Sequence, residues 1–61
     1  MPYVTVKMLE GRTDEQKQEL CKRVTEAVSE TTGAPLGNVH VIIEEMKKSD
    51  HSVGGIRSSD K

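Results

Sequence analysis

The sequence predicts an α/β (α+β) subunit: a single β-α-β unit with a short C-terminal hairpin, stable only when assembled as an oligomer. Three observations carry this. An alternating apolar run, a long helical stripe and a second apolar run follow one another before Lys47. The polar remainder holds Gly54-Gly55, a turn signal, between Val53 and Ile56. Finally, a chain of 61 residues buries only about 60% of the surface that its unfolded form exposes, so it is marginal alone. Disulfides, a structural metal or oligomerisation are the usual remedies. The one cysteine cannot make an internal disulfide, and no pair of residues is spaced like a zinc site. Oligomerisation remains.

Residues 2–9 open the chain in period two, with Val4, Val6 and Met8 on one face and Tyr3, Thr5 and Lys7 on the other. That is the pattern of a half-buried strand. Glu10-Gly11-Arg12 then turns the chain. Thr13-Asp14-Glu15-Gln16 is a capping box, in which hydroxyl and amide side chains satisfy each other's backbone N–H groups. Asp14 and Glu15 suit the positive end of the helix dipole.

Beyond the cap, Leu20, Val24, Ala27, Val28 and Thr31 recur at helical spacing, with Cys21 beside the stripe. Glu19 with Arg23, and Lys22 with Glu26, stand at i,i+4 on the polar side. Gly33 is placed to end the helix and Pro35 to prevent its restart. Residues 38–46 read as a second strand whose middle, Val41-Ile42-Ile43, is continuously apolar, as in strands covered on both faces. Strand, helix, strand implies a parallel pair joined by a crossover. One helix over two strands leaves the second face of the sheet bare, to be covered by further copies. Residues 1–61 make one domain, with no repeat or linker.

Formal net charge is −1, with both signs mixed along the chain. A nucleic-acid surface would show a one-sided basic stripe, so nucleic acid is not an expected partner. No apolar run approaches the roughly 20 residues of a membrane span, and no basic segment followed by an apolar one marks a secretory leader. A cytoplasmic location is expected.

Pro2 is the residue with chemistry to offer. Initiator methionine is normally removed before a small residue, and proline qualifies. The result is a secondary amine at the chain end. An ordinary α-amino group titrates at about 7.7–8.0, and an apolar wall or a nearby cation lowers that value. A base poised near neutral pH is what general-base catalysis favours, and the ring holds the nitrogen by fixing φ.

The run Pro2-Tyr3-Val4-Thr5-Val6, followed by Leu9-Glu10-Gly11-Arg12-Thr13-Asp14-Glu15-Gln16-Lys17, resembles the opening of the 4-oxalocrotonate tautomerase (2-hydroxymuconate tautomerase) family. Ala34-Pro35-Leu36, Val41-Ile42-Ile43-Glu44-Glu45-Met46 and Val53-Gly54-Gly55 continue the resemblance without gaps over nearly the whole chain. It implies the tautomerase fold, a hexamer built as a trimer of dimers, and neither metal nor organic cofactor. It also implies an isomerase that interconverts enol and keto forms of a small 2-hydroxydienoate-type acid. Pro2 matches the amino-terminal proline that takes a proton from the enol hydroxyl and returns it to carbon. Arg12 matches the arginine that holds the distal carboxylate of a diacid, a task suited to a planar guanidinium fork.

The chain departs from the family at two positions that bear on the site, and a third departure, Asp50-His51-Ser52, makes the tail more polar than the family's usual stretch. The second arginine, which binds the keto-acid end and stabilises charge on its oxygen, is His40 here; neutral histidine offers one donor in place of a fork. The phenylalanine that forms an apolar wall is His51. Arg57, beyond the glycine pair, is the candidate to supply the missing cation from an adjacent subunit. Two further readings accompany these departures. One is another activity of the superfamily, such as haloacrylate dehalogenation, with the proline protonated and acting as an acid. The other is a non-catalytic oligomeric binding module. Cys21 reads as a small core residue, and Glu44 and Glu45, on opposite faces of a strand, do not form an acid/base pair.

Overall fold

A computed structural model describes all 61 residues, Met1 to Lys61. The order is β1 (Tyr3–Leu9), α1 (Asp14–Thr32), β2 (His40–Met46), β3 (Ser52–Val53) and β4 (Ile56–Arg57), with single 3-10 turns at Leu36–Asn38, Lys48–Asp50 and Ser58–Asp60. β1 and β2 pair in parallel, from Tyr3 opposite His40 to Leu9 opposite Met46. β3 and β4 form the antiparallel hairpin.

The alternation read in the sequence decides which face of the sheet is covered. Val4, Val6 and Met8 of β1, with Val41 and Ile43 of β2, are half-buried, and Lys17 of α1 reaches Glu45 of β2. These positions share one face, because side chains alternate along a strand. The opposite face carries Tyr3, Thr5 and Lys7 beside His40, Ile42 and Glu44, all exposed. Tyr3 is 65% and Ile42 50% accessible.

The helix begins as its sequence dictates. Gln16 N–H donates to Thr13 Oγ1 at 3.1 Å, and Thr13 N–H donates to Gln16 Oε1 at 2.9 Å. It ends where Gly33 turns left-handed, φ 80°, and donates its N–H to Ser29 O. Leu20, Cys21, Val24 and Val28 are the half-buried apolar residues of the stripe; Ala27 and Thr31, read as part of it, lie exposed on its margin. Glu19 and Arg23 are joined at 2.8 Å, whereas Lys22 and Glu26 make no ion pair.

β2 starts later than the apolar pattern suggests. Pro35 opens a 3-10 turn closed by Asn38 N–H to Pro35 O and Val39 N–H to Leu36 O, so Asn38 and Val39 precede the strand. The hairpin turns at Gly54 and Gly55, with φ 61° and 85°. Two consecutive positive φ angles define the turn whose twist matches a two-residue hairpin.

Not one residue of the protomer is fully buried. Its radius of gyration is 14.4 Å and its extents are 42 × 24 × 13 Å, against roughly 10.5 Å for a compact domain of this length. A flat layer with one face of its sheet uncovered is the shape of an assembly subunit. No helix is long and apolar enough to cross a membrane.

Candidate functional site

Pro2 lies just ahead of β1, half-buried. Its carbonyl accepts the N–H of His40 at 3.0 Å, so a residue next to the chain end is tied into the sheet. The Pro2 nitrogen, with no hydrogen to donate, takes no part in that ladder. His40 is therefore held beside Pro2 through the backbone. Its imidazole stacks on Tyr3, ring centroids 4.4 Å apart and planes inclined by 15°. Tyr3, Pro2 and His40 form one group at the head of the parallel pair.

Arg12 stands beyond the other end of β1. It lines a cavity of about 220 Å³ with Met8, Gln16, Lys17 and Leu20. Of the three arginines, Arg12 alone has no carboxylate within ion-pair distance; Arg23 is paired with Glu19 and Arg57 with Asp60. The cavity therefore offers a free guanidinium above an apolar floor. Lys17 is occupied: its ammonium lies 3.0 Å from Glu45 Oε1 and 3.8 Å from Asp14 Oδ1. The hydrogen bond to Glu45 raises the Lys17 pKa above its ordinary 10.5, partial desolvation opposes this, and the charges of Glu45 and Asp14 reinforce it.

His51 and Arg57 belong to the tail. The imidazole Nδ1 of His51 shares a 2.8 Å hydrogen bond with Ser58 Oγ, and Ser58 N–H donates to His51 O at 2.8 Å. Arg57 meets Asp60 through Nε at 2.9 Å and a second nitrogen at 3.3 Å. No group of three or more His, Cys, Asp or Glu side chains is placed to hold a metal.

The candidates thus fall into three groups. Pro2 and His40 are brought together; Arg12 is not joined to them, and His51 and Arg57 are held by their own tail. No place in the site was read from the sequence for Tyr3, Gln16, Lys17 or Ser58. Tyr3 was not legible as the partner of His40, because the apolar pattern starts β2 at residue 38 and the observed strand starts at His40, opposite Tyr3.

A profile of the family described as tautomerase enzyme matches residues 2–61. The chain belongs to the tautomerase family. It is 65% identical over 60 residues to the 2-hydroxymuconate tautomerase of Bacillus subtilis, covering 98% of this chain and 97% of that one. The crystal structure of a homologue of 4-oxalocrotonate tautomerase superposes with TM-score 0.95 at 63% identity, covering 98% of each chain. A heterohexamer 4-oxalocrotonate tautomerase from Chloroflexus aurantiacus superposes with TM-score 0.94 at 37% identity, covering 98% of this chain and 97% of that one. The chain is accordingly an enzyme of the isomerase class with the tautomerase fold.

Proposed function

We propose that this tautomerase, after loss of Met1, converts a small 2-hydroxydienoate-type acid between its enol and keto forms with Pro2 as general base. The observation that carries the reading is the tie between Pro2 O and His40 N–H, which fixes the terminal proline while leaving its nitrogen out of the sheet. Pro2 takes the enol proton, the oxygen's electron pair closes the carbonyl, and the conjugated double bonds shift. The proton then passes from Pro2 to carbon, restoring the free amine. His40 stands at the keto-acid end, where a ring N–H donates to the oxygen that gathers charge.

Arg12 holds the distal carboxylate, and it does so from another subunit. β1 has seven residues, roughly 23 Å at about 3.3 Å per residue, so Pro2 and Arg12 of one protomer cannot share a small substrate. The exposed sheet face and the absence of any fully buried residue support closure into a homo-oligomer. A homohexamer, arranged as a trimer of dimers, satisfies both. In that assembly the tail places His51 as the wall of a neighbouring site and Arg57 near its charged end. The cytoplasm is the compartment in which this reading sets the enzyme.

The test is the ketonisation of 2-hydroxymuconate by protein whose intact mass shows that Met1 is gone, beside Pro2→Ala. A rate well above buffer that collapses in the variant is expected. A rate shared by the variant would remove Pro2 from the mechanism.

A further inference from the structure

We propose that Tyr3 is a positioning residue for His40, its ring fixing the direction in which the imidazole presents its donor nitrogen to the substrate's acid end. The inference rests on the tautomerase reading, in which His40 stands at that end.

Three features of the fold converge on it. Tyr3 and His40 are register partners at the first position of β1 and β2, so their side chains leave the same face of the sheet. The rings lie nearly parallel, 15° apart at a centroid separation of 4.4 Å. The His40 backbone is pinned to Pro2 O at 3.0 Å, which fixes where the side chain starts but not where its ring points. Within the protomer no side-chain hydrogen bond holds that ring, in contrast to His51, whose Nδ1 is bound to Ser58. The tyrosine is therefore the group that orients the imidazole.

Orientation matters more for a histidine than for the arginine that the family carries here. A guanidinium presents five donors around a planar fork, whereas a neutral imidazole has a single N–H. A modest rotation of the ring withdraws that donor from an oxyanion altogether. A stacked partner suppresses the rotation. Aromatic pairs contribute beyond their buried area, so the stack favours one plane for the imidazole ring.

Ketonisation of 2-hydroxymuconate is measured for Tyr3→Leu, which keeps apolar bulk but no ring, for Tyr3→Phe, which keeps the stack, and for Tyr3→Leu in a His40→Ala background. The expected result is a fall of roughly 3- to 10-fold in kcat/KM for Tyr3→Leu, carried mainly by kcat. Tyr3→Phe recovers most of the loss, and Tyr3→Leu costs nothing further once His40 is alanine. Proton NMR of the His40 ring supplies an independent reading. Its signals lose the ring-current shift of the stack in Tyr3→Leu and keep it in Tyr3→Phe.

Equal losses in the two backgrounds would make Tyr3 a structural residue and overturn the inference, as would an unaltered rate in Tyr3→Leu. Pro2→Ala separates the failures. If it retains full activity, or if the wild-type protein has no rate on this substrate, the parent reading falls first and the positioning role falls with it.

Discussion

Pro2 and Arg12 occupy opposite ends of one strand, the proline tied to the head of β2 and the arginine lining the cavity beyond Leu9. Any site that uses both must draw them from different subunits. Subunits carrying Pro2→Ala and subunits carrying Arg12→Ala, each inactive alone, therefore regain activity when unfolded together and reassembled. Random mixing in a symmetric assembly restores about a quarter of the sites. Steady-state rates before and after mixing read the result directly. No recovery from a correctly sized mixed oligomer would place both residues in one subunit's site.

The stack of His40 on Tyr3 predicts the effect of restoring the family's charge. His40→Arg introduces a fork able to make charge-assisted hydrogen bonds, worth about 1.5–3 kcal/mol each. Guanidinium groups also stack on aromatic faces, so Tyr3 can hold the new side chain as it holds the old one. A gain of roughly tenfold or more in kcat/KM on 2-hydroxymuconate is expected. A rate that falls on this substitution would show that the natural substrate presents a different group at this end.

Most of the fold was legible because local and tertiary preferences agree. The Thr13–Gln16 capping box and the Gly33 terminus lie where their chemistry puts them. The Val4, Val6, Met8 alternation faces the helix, and Gly54-Gly55 makes the hairpin. The start of β2 was less so, because Val39 is apolar yet belongs to the turn closed on Leu36. The site was legible in identity more than in arrangement. Pro2, Arg12, His40, His51 and Arg57 carry recognisable chemistry, but where they stand relative to one another depends on a strand's length and on other subunits. The Tyr3–His40 stack depends on strand register, which emerges only when the two strands are aligned.

The Lys17–Glu45 pair joins the first turns of α1 to the end of β2 beside Arg12, and it carries a pH signature. Its folded-state pKa lies above the ordinary 10.5, so the unfolded chain gives up this proton first as pH rises. The pair's contribution is complete below about 10.5 and disappears as pH climbs through the raised folded value. The difference in thermal midpoint between wild type and Glu45→Gln is therefore expected to be constant from neutral pH to below 10 and to shrink above 10.5. A difference that instead widens at high pH would mean that Glu45 stabilises the fold by some other contact.

His51 and Ser58 close the tail with two hydrogen bonds, one between side chains and one along the backbone, both 2.8 Å long. The hairpin between them is only two residues per strand, too short to persist on ladder bonds alone. Removing the hydroxyl in Ser58→Ala takes away one of the two closures, at a cost of about 0.5–1.5 kcal/mol. Because the tail packs little against the β-α-β unit of its own protomer, that loss is expected to stay local. Hydrogen exchange should quicken at the amides of β3 and β4 and hardly change along β1 and β2. If His51 walls a neighbouring site, the same variant loses activity while its helix and parallel strands remain as protected as before. Equal loss of protection in the tail and in β1 would instead make the hairpin part of one cooperative unit with the sheet, with the His51–Ser58 contact holding the whole assembly together.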